Sequence, residues 1–94
     1  MNVSWTRLAL ADLNHAHGYV AEENPSAAVR TIKRIKKAIE TVGRHPEIGR
    51  PGRVEGTREL MISGTPFIVA YRLEANRIEV LSVIHGARRW PDEL

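Results

Sequence analysis

A chain of 94 residues without a cysteine has room for one domain, spanning residues 1–94, and it excludes disulfides, thiolate metal sites and thiol nucleophiles. Composition that is 43% hydrophobic and 27% charged is ordinary for a globular protein, and no apolar run approaches the roughly 20 residues needed to cross a bilayer. The net charge of +3 comes from 14 basic and 11 acidic residues, and eleven of the basic ones are arginines, whose planar fork suits either a polyanion or an acidic partner chain. Residues 1–19 carry Asp12 and two histidines in place of the long apolar stretch of a signal peptide, so a cytoplasmic location is expected.

In chain order, Val3 to Trp5 make a short apolar start, and Thr6 is placed to cap a following helix. From Leu8 onward, Leu10, Leu13, His17 and Val20 recur at three- and four-residue steps, which predicts an amphipathic helix of about four turns. Asn24-Pro25 then places a favoured N-cap before a proline in the first helical position, so a second helix should start there. Its apolar stripe is Ala28, Ile32, Ile35, Ile39 and Val42, with Arg30, Lys33, Arg34 and Lys37 off the stripe and Gly43 at the expected C-cap. The short link between the helices predicts an antiparallel helical hairpin.

Residues 45–56 contain two prolines and three glycines and are expected to form a loop. Three strand-like runs follow, at residues 58–62, 67–73 and 78–85, joined by turns at Ser63-Gly64-Thr65-Pro66 and Glu74-Ala75-Asn76. The third run is apolar from Val80 to Ile84 apart from Ser82, the mark of a central strand covered on both faces. The expected fold is α+β in the order β-α-α-β-β-β, with the helical hairpin packed on one face of a small, mainly antiparallel sheet. Strict alternation would put Val80 and Ile84 on one face and Leu81 and Val83 on the other. One hairpin covers only one face, so the second needs either the C-terminal segment with Trp90 or a partner chain.

The ordered set Ala11-Asp12-Leu13, Asn24-Pro25, Gly49-Arg50-Pro51-Gly52-Arg53-Val54, Gly56-Thr57-Arg58-Glu59-Leu60, Pro66-Phe67-Ile68-Val69-Ala70-Tyr71-Arg72 and Val80-Leu81-Ser82-Val83-Ile84-His85-Gly86-Ala87-Arg88 resembles the RelE/ParE toxin superfamily over essentially the whole chain. The resemblance implies the toxin half of a bacterial type II toxin–antitoxin pair, held in a hetero-oligomer by an antitoxin whose C-terminal segment wraps the toxin surface. It implies no cofactor and no metal, and His15 and His17, two apart on a helix, share no face for one. Leu81 and Val83, on the uncovered face, are the expected antitoxin contacts.

The superfamily divides by target. RelE-like members cleave messenger RNA on the ribosome, and ParE-like members inhibit DNA gyrase. RNA cleavage by 2′-hydroxyl attack needs a base, cations on the phosphorane and an acid for the leaving oxygen. His85, Arg58 and Arg72 are the candidates for those roles if the chain is a nuclease, with His85 able to exchange a proton near neutral pH. The RelE-like pattern puts a basic residue early in the middle strand, where this chain has Pro66 and Phe67, and no tyrosine follows His85. The ending Ile84-His85 with Arg88 after two intervening residues is similar to ParE-like chains, although Arg89 stands where they often carry methionine. The resemblance therefore favours gyrase as target, with Arg53, Arg88, Arg89 and Trp90 as target- or nucleic-acid-binding residues. A ribosome-dependent endoribonuclease is the alternative, and a degenerate toxin kept as a co-repressor is a third reading.

Overall fold

The computed structural model describes residues 1–87, and its elements are β1 (Asn2–Trp5), α1 (Arg7–Ala21), α2 (Pro25–Arg44), β2 (Arg50–Pro51), β3 (Thr57–Met61), β4 (Phe67–Leu73) and β5 (Arg77–His85). The strands form one sheet in the order β1-β5-β4-β3-β2, antiparallel throughout except for the parallel β1–β5 pair. The helical hairpin packs on this sheet, so the α+β expectation holds. The two-residue β2 is an addition: Arg50 and Pro51 pair with Glu59 and Arg58 inside the expected loop. A proline fits there because β2 is an edge strand, where a missing N–H breaks no ladder.

Both helix starts are as the sequence dictates. Thr6 Oγ1 accepts from the Ala9 N–H at 3.0 Å, and Asn24 Oδ1 accepts from the Ala27 N–H at 3.0 Å with Pro25 behind it. The end of α2 differs, because Gly43 is helical and the cap is His45, whose N–H bonds to Thr41 O at 2.8 Å. Pro46, which restricts its preceding residue to extended conformations, is what stops the helix. The last turn is pinned to β1 by the Met1 amino group, which donates to Gly43 O at 2.9 Å.

On α1 the inward stripe is Ala9, Leu13, Ala16 and Val20, which keeps Leu13 and Val20 of the expected set and replaces Leu10 and His17 by their N-terminal neighbours; Leu10 is 49% exposed and His17 is exposed. Two alanines on the inner face let the α1 backbone come close to its neighbours, which the larger Leu10 would prevent. The stripe of α2 is as expected, with Thr31 also buried and Ile32 at its margin. Ile35 and Ile39 meet Ile62, Phe67, Val69, Val80 and Val83 in the main core, while Val42, Tyr71 and Ile78 make a smaller cluster beside it.

β5 does not alternate strictly. Tyr71 faces Val80 and Ala70 faces Ser82, so Leu81 is left unopposed as a β-bulge. The extra residue brings Val80 and Val83 onto the same, helix-covered face. Ile68, Ala70, Leu81 and Ile84 are buried outside both core clusters. Trp90, whose segment was one of the two covers expected for the second face, lies outside the described residues.

Candidate functional site

β1 pairs with β5 only from Arg77 to Val80, because the chain turns at Thr6 into α1. Past Val80, β5 has no strand on that side among the described residues, and α1 takes its place. Thr6 Oγ1 donates to Leu81 O at 3.2 Å. Six residues further on, Asp12 Oδ2 accepts from Ser82 Oγ at 2.6 Å and from the Val83 N–H at 3.0 Å. The carboxylate thus supplies the acceptor that a sixth strand would have provided, and closes an edge open to pairing with another chain. Replacing Asp12 with alanine strips two donors of their acceptor and is expected to lower stability by about 1–3 kcal/mol, with asparagine falling between. Chemical denaturation checks it, and an unchanged midpoint for the alanine variant would remove this role.

Above Asp12, α1 and the end of β5 enclose a cleft of about 280 Å³ lined by His15, Tyr19, Phe67, Ser82 and His85, among others. The half-buried His85 ring stands edge-on to Tyr19, with centroids 5.3 Å apart, and to Phe67, at 5.5 Å. Its Nδ1 accepts from the Ala87 N–H at 3.1 Å, which fixes that nitrogen as unprotonated in this geometry and leaves Nε2 to carry the proton of the neutral ring.

A second polar centre lies under the loop between α2 and β3. The fully buried Tyr71 donates its hydroxyl to Pro46 O at 2.7 Å and accepts from the Gly49 N–H at 2.9 Å. Burial pushes this phenol above its ordinary value of 10.0, while the Gly49 N–H and the Arg58 charge pull it back. Arg58 Nη1 donates to Gly49 O at 2.7 Å and Glu47 O at 3.3 Å. The buried Glu59 accepts from Arg50 Nη2 at 3.3 Å and from the Arg53 N–H at 2.8 Å. These contacts build the loop and hold Arg50 and Arg53 at its exposed rim.

The residues singled out by sequence are therefore dispersed. His85 faces Phe67 and Arg58 faces Tyr71, four positions apart along β4, or about 13 Å. Arg72 is five positions from Phe67, which sets it on the opposite sheet face. Val83 packs in the helix-side core, and at 6% exposure, beside Leu81 at 4%, it offers little to an incoming chain; this corrects its assignment to an open face. Arg88, Arg89 and Trp90 lie outside the described residues. Sequence reasoning missed Asp12 and Glu59 as structural acceptors. Asp12 had one legible signal, an acid at helical spacing between the inward alanines Ala9 and Ala16.

Similarities to known proteins fit this geometry. Residues 3–90 match the family of the ParE toxin of the type II toxin–antitoxin system parDE. The chain is 37% identical over 92 residues to Y4kP, a candidate toxin of Sinorhizobium fredii, covering 98% of this chain and 95% of that one. It is 33% identical over 86 residues to Toxin RelE2 of Caulobacter vibrioides, covering 92% and 96%. The chromosomal ParDE toxin–antitoxin system of P. aeruginosa contains a chain that superposes with a TM-score of 0.80 at 28% identity, over 90% of this chain and 95% of that one. A YoeB/ParE toxin from Agrobacterium tumefaciens shares the fold, with a TM-score of 0.63 at 19% identity, over 90% and 98%.

Proposed function

The chain belongs to the ParE toxin family of type II toxin–antitoxin systems, and we propose that it arrests growth by binding and inhibiting DNA gyrase until its antitoxin neutralises it. One observation carries this reading over RNA cleavage: Arg58, Arg72 and His85 do not converge. A nuclease needs its base, its acid and a cation within hydrogen-bond reach of one phosphate. Here Arg58 is engaged by two loop carbonyls, Arg72 is on the other sheet face, and the His85 ring stands between two aromatics. A rigid aromatic cluster at the end of a strand suits a protein-binding surface.

The antitoxin is read as seated on the apolar cleft that Val3, Trp5, Leu10, Leu13 and Ile39 line between β1, α1 and α2. The exposed Leu10 gives an apolar segment an anchor, and the rim carries one charge of each sign, Lys36 and Glu40. No helix among the described residues is long and apolar enough to cross a membrane, and gyrase as target places the action in the cytoplasm.

The 33% identity to a toxin named RelE2 favours a second reading as a ribosome-dependent messenger RNA endonuclease, with His85 as its acid or base. Purified chain added to a gyrase supercoiling assay, with cuts in translated messages mapped in parallel, separates the two. The expected result is loss of supercoiling without cuts at codon boundaries. Cuts that vanish in His85→Ala would reverse the order.

A further inference from the structure

The charge of this protein is concentrated on one helix. α2 carries Arg30, Lys33, Arg34, Lys36, Lys37 and Arg44 against a single acid, Glu40. That is +5 from one helix in a chain of net charge +3, so the rest of the chain is net acidic by two charges. At 100° per residue, Arg30, Lys33, Arg34, Lys37 and Arg44 fall on the face opposite Ala28, Thr31, Ile35, Ile39 and Val42, which form the core side. All five are exposed, and among the described residues none is in an ion pair. Arg34 alone is engaged, with Nη1 donating to Ser63 O at 3.0 Å. The row runs from residue 30 to 44, about 21 Å of helix.

We infer that the outer face of α2 is a binding surface for double-stranded DNA, reading its phosphate backbone without sequence preference. Five cations on one ridge, offset only by Glu40 between Lys37 and Arg44, leave like charges that repel one another, and nearby phosphates relieve that repulsion while releasing counterions. An acidic polypeptide would supply the charge but needs apolar anchors to offset its own ordering. This face offers a single one, Val29 at its flank, 48% exposed, and between the cations it presents Ser26 and the half-buried Thr41, small hydroxyl residues suited to backbone contacts. The shape favours DNA over duplex RNA, because an α-helix about 10–12 Å across enters the roughly 12 Å major groove of B-DNA but not the deep, narrow groove of A-form RNA. The inference stands apart from the gyrase reading, since it concerns the other side of the hairpin from the His85 cleft and needs no enzyme target.

The test is fluorescence anisotropy of a labelled 20-base-pair DNA with the full chain, titrated at salt from about 50 to 200 mM. With four phosphates engaged, the log–log slope of affinity against salt should be about −3.6. A variant carrying Arg30→Gln, Lys33→Gln and Lys37→Gln should drop the slope to about −1 and weaken binding more than about tenfold at low salt. Glutamine is a good helix former and all three sites are exposed, so the melting curve should not move. A second variant, Arg30→Lys with Lys33→Arg and Lys37→Arg, should keep the binding. Absence of binding at 50 mM salt, equal binding of poly-glutamate, or duplex RNA held as tightly as DNA would each overturn the inference.

Discussion

Gly49→Ala is expected to destabilise the protein by about 3 kcal/mol, a large fraction of the 5–15 kcal/mol that holds a small domain together. A Cβ at this position would stand 2.7 Å from the Tyr71 hydroxyl, 2.9 Å from its Cε1 and 3.0 Å from Glu59 O. None of these walls can yield. The Tyr71 ring is fully buried beside Val42 and Ile78, and Glu59 lies in the β3–β4 ladder. Overpacking of this kind costs about 1–3 kcal/mol. The loop must retreat to relieve it, which separates the Gly49 N–H from the Tyr71 hydroxyl and Gly49 O from Arg58, leaving buried polar groups unpaired at about 1–3 kcal/mol each. Urea denaturation measures the loss. The assignment of cause has its own check, because Tyr71→Phe removes the nearest clashing atom. In that background Gly49→Ala should cost clearly less, a non-additivity expected only of residues in contact. A loss below about 0.5 kcal/mol in the native background would mean that the loop is not held as described.

Gly49 also shows where the sequence was legible and where it was not. Its place in a loop rich in proline and glycine could be read directly, because turn chemistry is local. That its N–H and O are held by Tyr71 and Arg58, 22 and nine residues away, could not, because nothing in residues 45–56 encodes the register that brings β3 and β4 beneath them. The helices divide in the same way. Asn24-Pro25 and the isoleucine stripe of α2 are short-range signals, and the structure follows them. On α1 the expected stripe favoured large side chains over small ones, and tertiary packing chose Ala9 and Ala16 because a close helix crossing needs small residues.

The candidate site was legible in its members more than in its arrangement. His85 at a strand end followed from the pattern of β5, but its two aromatic neighbours come from α1 and β4 and are set by packing. The bulge at Leu81 changed most. One unopposed residue reversed the faces of everything after it relative to Val80, moving Val83 from an open surface into the core. Nothing in the run Val80 to Ile84 announces a bulge. Its cause is found on α1, where Thr6 and Asp12 hold Leu81 O, Ser82 Oγ and the Val83 N–H at fixed points along an edge that β1 leaves uncovered.

Ile35→Ala should cost about 2–5 kcal/mol, and the surroundings place it in the upper half of that range. Ile35 is fully buried at the middle of α2, in the same core cluster as Ala9 and Ala16 of α1 and Val69 and Val80 of the sheet. A cavity there cannot be filled by a neighbour: alanines have no length to extend, and β-branched valines have one strongly preferred rotamer. Ile32, at the margin of the stripe, should cost less when cut to alanine, so the order of the two variants tests the helical phase without reference to absolute values. The functional consequence follows from the same contacts. α1 carries Asp12 and Tyr19 against β5, and its inner alanines are held by the core around Ile35. Loosening that core should therefore let α1 part from β5 and dissolve the wall of the His85 cleft before the sheet itself melts. On the proposed gyrase reading, inhibition by the Ile35→Ala chain is then expected to fail at a temperature below its main unfolding transition. A melting profile and inhibition both equal to the native chain would take Ile35 out of the core.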